Sequence, residues 1–132
     1  MIVGSGIDVL EIARLELALD RRGTRLRDRL FTPLEQRDCE RRGRPVPHFA
    51  LRFAVKEAGM KAIGTGWRRG VGWCDFETVE TEGGLRLCLR GRALEIAERR
   101  GFRRVLVGAS MTRFHAFAQV VLEGDAPDPG AA

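Results

Sequence analysis

At 132 residues, 44% of them hydrophobic, the chain is long enough for one domain with a real core and too short for two ordinary ones. Cys39, Cys74 and Cys88 are odd in number and contain no CxxC pair, which speaks against a zinc site or a disulfide framework and fits a reducing cytoplasm. No basic leader opens the sequence and no window approaches the ~20 apolar residues of a membrane span, so a soluble protein without a membrane partner is expected.

The formal charge of +5 is concentrated. Arginines 21, 22, 25, 27, 29, 37, 41, 42 and 44 face only Asp28, Glu35, Asp38 and Glu40 in the same stretch, so the rest of the chain is neutral in sum. Such a patch points to an acidic partner, or else to a solvated arginine-rich surface with none. Against nucleic acid stand the absence of a reader motif and an aromatic content of 7% with no tyrosine.

In chain order, Met1 to Ile7 is predicted as a short strand punctuated by Gly4 and Gly6, ending at Asp8. Apolar residues at Leu10, Ala13 and Leu17 give a helical period to about Asp20, which Gly23 breaks, and a second helical segment covers Arg25 to Leu30. Thr32-Pro33-Leu34-Glu35 has the form of an N-cap, a first-turn proline and a capping box, opening a helix to about Arg42. After a turn at Gly43 to Pro47, a helix carrying Phe49, Phe53 and Ala54 runs to a left-handed cap at Gly64. Trp73 to Thr81 and Leu85 to Arg90 read as a hairpin with Leu85, Leu87 and Leu89 on one face. A short helix from Gly91 to Arg100 stops at Gly101. Strands at about 104–109 and 114–123 follow, the second alternating Phe114, Ala116, Ala118, Val120 and Leu122. The class is α+β: a single domain over 1–124, mostly antiparallel sheet packed against helices, with a disordered tail at 125–132.

Chemistry gathers around Arg52 to Gly66. Lys56 and Lys61 are the only lysines in the sequence, and a compact ammonium suits a phosphate oxygen where arginine suits planar partners. Glu57 and Lys61, four residues apart, share a helix face with Phe53: a surface ion pair, or charges held in an apolar setting for a task. Gly64-Thr65-Gly66 either stops the helix or presents N–H groups to phosphate. Asp8 followed by Glu11 fits an acidic N-cap, which the pattern favours over a reactive carboxylate at a strand end. His48 and His115 have no evident nucleophile to serve.

Gly6-Ile7-Asp8-Val9-Leu10-Glu11-Ile12-Ala13-Arg14, then Phe31-Thr32-Pro33 with Glu35, then Arg52-Phe53-Ala54-Val55-Lys56-Glu57-Ala58 with Lys61-Ala62-Ile63-Gly64-Thr65-Gly66 resemble the holo-acyl-carrier-protein synthase family of phosphopantetheinyl transferases. The resemblance continues through Glu77, Gly91, Ala93, Ala97 and Gly101 to Ala116–Glu123. It implies the fold of that family and Mg-dependent transfer of the 4'-phosphopantetheine arm of coenzyme A to a serine of an acidic acyl carrier protein, releasing adenosine 3',5'-bisphosphate. Asp8 and Glu57 would hold magnesium, which revises the cap reading of Asp8, and with Lys61 they form the implied catalytic set. Lys61, Lys56 and Arg52 would face the phosphates of coenzyme A, and Gly64, Thr65 and Gly66 would shape that pocket.

By the same resemblance Arg14 meets the carrier, with Arg21, Arg22, Arg25 and Arg29 as extensions. A homotrimer with active sites between subunits is implied, in which the last strand would offer an apolar face to a neighbour. The serine proton would go to Glu57 or to a water at the metal. Ser110-Met111 departs from the Ser-His pair of many members, and Met111 is assigned no role. A non-catalytic carrier-binding homologue is the alternative that this departure raises; intact Asp8, Glu57 and Lys61 argue against it.

Overall fold

The computed structural model describes residues 1–65 and 70–125. In chain order the elements are β1 (Ile2–Glu11), α1 (Ile12–Leu30), α2 (Pro33–Glu40), α3 (Pro45–Ile63), a 3-10 turn at Trp73–Asp75, β2 (Phe76–Thr81), β3 (Gly84–Leu89), α4 (Gly91–Arg99), β4 (Phe102–Met111) and β5 (His115–Gly124). Pairing is antiparallel throughout, in a three-stranded sheet of order β1-β5-β4 and a separate β2-β3 hairpin.

The organising element is α3. It buries residues on every face, among them Phe49, Ala50, Ala54, Val55, Ala58, Met60, Ala62 and Ile63, as expected of a helix enclosed by other elements rather than laid on a surface. On one side it lies against β1. A Cβ at Gly6 would come within 2.1 Å of the Ala58 carbonyl oxygen, and one at Gly4 within 2.3 Å of that of Ala62. Close backbone approach is therefore the work of these two glycines. On the other side lie Phe76 and Leu87 of the hairpin, both buried. Ala116, Ala118, Val120 and Leu122 of β5 complete the floor.

The helix-terminal chemistry read from the sequence is present. Thr32 Oγ1 accepts from the Glu35 N–H at 3.3 Å, and Glu35 Oε1 accepts from the Thr32 N–H at 2.9 Å. Gly64 caps α3 at φ 80°, in the left-handed region that a side chain rarely adopts, and its N–H donates to the Met60 and Lys61 carbonyls. Gly23 interrupts α1 with non-helical torsions, as predicted from its position.

Several boundaries differ. β1 does not end at Asp8 but continues to Glu11, with Asp8 opposite Ala118 of β5, and α1 begins only at Ile12. Asp8 is thus no helix cap. Trp73 to Asp75 form a 3-10 turn instead of the start of a strand, held where the Asp75 carboxylate accepts from the Gly72 N–H. Phe114 stays in the turn before β5 and is exposed, because Thr112 Oγ1 accepts from the N–H groups of both Phe114 and His115. Asp125, assigned to the tail by sequence, donates its N–H to the Gly101 carbonyl and ion-pairs with Arg103; the remainder of the predicted tail lies outside the described residues.

Gly6→Ala is expected to force α3 off β1. The cost should reach or exceed the top of the overpacking range, about 3 kcal/mol, because the obstacle is backbone. Urea unfolding of the purified variant measures it.

Candidate active site

β1 supplies Asp8 and α3 supplies Glu57 and Lys61, and the glycine contact brings the two elements together. Strand alternation turns Gly6 and Asp8 inward while Ile7 and Val9 face out. Asp8 is 7% exposed. Its Oδ1 accepts from Lys61 Nζ at 2.9 Å, and the same ammonium donates to the Ile7 carbonyl at 2.9 Å. The second oxygen, Oδ2, is buried with no hydrogen-bond partner. Glu57 is half-buried beside this pair. Burial first, and then the negative charge of Asp8, push its carboxyl up from 4.5 to about 7, against the opposing pull of Lys61.

Both carboxylates open onto a cavity of about 760 Å³. Its rim carries Arg14, Arg21, Arg22 and Arg29, and its apolar wall includes Leu15, Leu30, Phe53 and Trp73. The Phe53 and Trp73 rings pack at 5.0 Å between centroids. A smaller cavity of about 450 Å³ continues outward between Arg22, Arg25, Leu26 and Arg29. Arg21, Arg22, Arg25 and Arg29 of the arginine patch thus line the same surface as the carboxylate pair, whereas Arg41 and Arg42 turn to Glu80.

Arg52 and Lys56, predicted at the phosphates, are placed elsewhere. Lys56 is fully buried in an ion pair with Glu35 Oε1 at 2.6 Å, donates to the Trp73 carbonyl at 3.2 Å and lies over the Phe31 ring. Glu35 in turn accepts at Oε2 from the Thr78 N–H and hydroxyl. Arg52, 2% exposed, donates to Thr78 and to Glu80 Oε1. These charges tie α2, α3 and β2 together, and neither faces the cavity. Sequence reasoning saw Glu35 only as a cap residue. The signal for its second role was Lys56 itself, which, standing one turn beyond Arg52 among buried residues, required an acid.

Gly64 and Thr65 sit at the end of α3, just beyond Lys61, and Thr65 is buried; neither lines the cavity. Gly66 lies outside the described residues. Met111 ends β4 opposite Ala116 and is partly exposed.

The donors suit a hard cation of small appetite. Among the described residues no group of three or more His, Cys, Asp or Glu side chains gathers that could hold a metal. Magnesium, however, takes one or two carboxylates and completes its shell with water and substrate phosphates. Asp8 and Glu57, with Oδ2 buried and unpartnered, fit that requirement.

The chain matches the family model of the 4'-phosphopantetheinyl transferase superfamily over residues 4–105. The holo-[acyl-carrier-protein] synthase of Koribacter versatilis is 44% identical over 124 residues, covering 93% of this chain and 99% of the relative. This chain belongs to the holo-[acyl-carrier-protein] synthase family. Members of that family share its architecture: the Neisseria meningitidis synthase superposes with a TM-score of 0.83 at 33% identity, over 93% of this chain and 99% of that one. The Bacillus anthracis synthase, solved in complex with CoA (3',5'-ADP), gives 0.76 at 33% identity, over 95% and 99%. As a member, the chain is a phosphopantetheinyl transferase of α+β fold.

Removing one partner of the Glu35–Lys56 pair leaves the other charge buried. Lys56→Met should therefore cost about 3–5 kcal/mol, and the double variant Glu35→Gln/Lys56→Met should recover part of it. Chemical denaturation of the three proteins decides this. The raised carboxyl of Glu57 also sets a pH dependence. Between its ordinary value of 4.5 and about 7 the folded state holds more protons than the unfolded one, so stability of the metal-free protein falls as pH rises through that window. Glu57→Gln should flatten this slope in a series of urea melts.

Proposed function

We propose that this chain transfers the 4'-phosphopantetheine group of coenzyme A to a serine of an acidic apo acyl carrier protein, with magnesium, releasing adenosine 3',5'-bisphosphate. The observation that carries this reading is the facing pair Asp8 and Glu57 at the inner end of an arginine-rimmed cavity. It is supported by the family and by a relative solved with coenzyme A.

Asp8 and Glu57 would hold the magnesium ion, which neutralises diphosphate charge and favours departure of the bisphosphate. Lys61, on a flexible stem beside Asp8, would bind a phosphate oxygen as a point charge. The apolar wall formed by Phe53 and Trp73 suits the pantetheine arm and excludes water from it. A nearby cation lowers the pKa of a carboxyl, so Glu57 would stand ionised at neutral pH, one oxygen for the cation and the other for the serine proton. Arg14 at the rim, with Arg21, Arg22, Arg25 and Arg29 beyond it, would steer the acidic carrier so that its serine enters the cavity. Arg52 and Lys56 have no part in this mechanism beyond holding α3.

The working form is proposed to be a homotrimer in the cytoplasm. The outer face of the three-stranded sheet exposes Ile7 (61%), Val9 (55%), Leu106 (44%) and Phe117 (38%), an apolar surface suited to further copies. No helix among the described residues is long and apolar enough to cross a membrane.

Mass spectrometry of an apo carrier after incubation with coenzyme A and magnesium tests the reaction. The carrier should gain the phosphopantetheine mass, and its absence with folded enzyme would refute the reading. Asp8→Ala and Glu57→Ala are each expected to lower turnover by about a hundredfold or more, the scale of losing one preorganised electrostatic contact, while circular dichroism stays native. Arg14→Glu should raise KM for the carrier with little change for coenzyme A, and the effect should shrink as salt increases.

A further inference from the structure

Asp8 already has a cation. Lys61 Nζ lies 2.9 Å from Asp8 Oδ1 and 2.9 Å from the Ile7 carbonyl oxygen, so both of its acceptors belong to β1. Its stem leaves the last turn of α3, and its side chain is 55% exposed, so the ammonium can swing without disturbing the core. Lys56 makes the contrast. Its side chain is 0% exposed, clamped between Glu35 and the Trp73 carbonyl, and it has nowhere to go. The two lysines of the chain are thus one fixed charge and one movable one.

A divalent cation arriving at Asp8 in the ligand-free protein would meet this ammonium at the same carboxylate. Like charges that close repel, and among the described residues no third carboxylate joins Asp8 and Glu57 in compensation. An incoming diphosphate changes both conditions at once. Its oxygens give the ammonium another anion to bind, and they complete the shell that magnesium requires.

We propose that Lys61 is a resident counter-cation that keeps a divalent cation off Asp8 until coenzyme A draws the ammonium onto its phosphates, so that metal and coenzyme bind together. The proposal rests on Asp8 and Glu57 being the metal site. Binding coupling is reciprocal, so coenzyme A raises metal affinity by the same factor as the metal raises affinity for coenzyme A. The rival role for Lys61 is a simple strap between α3 and β1, which predicts no tighter metal binding in the absence of coenzyme A when its charge is removed.

The test is titration of the metal-free full-length protein with Mn2+, following the free ion by electron paramagnetic resonance, with and without coenzyme A. A protein-free titration of coenzyme A corrects for the metal that it binds in solution. Lys61→Met is expected to bind Mn2+ alone about tenfold or more tightly than wild type, and to gain less from coenzyme A. Lys61→Arg, which keeps the charge, should retain the weak binding of wild type, and Asp8→Asn added to Lys61→Met should abolish the gain. If Lys61→Met binds Mn2+ alone no more tightly than wild type while Asp8 still governs binding with coenzyme A, the proposal is overturned and the metal site stands. If Mn2+ binding with coenzyme A is indifferent to Asp8→Asn, both fall.

Discussion

Between Gly6 of β1 and Ala58 of α3 there is no room for a side chain, and the positions of the two cavity carboxylates follow from that contact. Asp8 is two residues beyond Gly6 on the same inward face, and Glu57 immediately precedes Ala58. Lys61 lies one turn further along α3, within reach of Asp8. A strand held onto a helix backbone at this distance fixes the carboxylates more firmly than loop supports would. Burial of the same contact raises the proton affinity of Glu57.

The second constraint is the buried charge network behind α3. Glu35 serves two ends, closing the cap of α2 and neutralising Lys56, and its remaining oxygen accepts from Thr78. Lys56 reaches the Trp73 carbonyl, so the network also secures the aromatic wall of the cavity. A pair of this kind adds less to stability than its geometry suggests, because desolvating two charges offsets much of their attraction. In this arrangement of α2, α3, β2 and the Trp73 turn, the buried charges of Glu35, Lys56 and Arg52 are each matched.

Local chemistry was the legible part of the sequence. The Thr32–Glu35 box, the Gly64 cap, the break at Gly23 and the alternation of β3 and, from Ala116 onward, of β5 are all decided within a few residues, and all are present. What pattern could not provide was pairing across distance. Asp8 followed by Glu11 has the form of a cap, and only its register opposite Ala118 shows it to be mid-strand. The rarity of lysine singled out Lys56 and Lys61 equally, although one is enclosed with Glu35 and the other faces Asp8 and solvent. Helical position separates them only once the enclosing elements are known. Family resemblance supplied the link between Asp8 and Glu57 that spacing alone did not.

We propose that packing of α3 on β1 creates a divalent-cation site from Asp8 and Glu57 that the diphosphate of coenzyme A would complete. Anomalous diffraction from crystals grown with Mn2+ and coenzyme A tests it most directly. A manganese peak within coordination distance of both carboxylates and of a coenzyme phosphate oxygen is the expected result. Coenzyme A bound with the peak elsewhere, or with none, would contradict it.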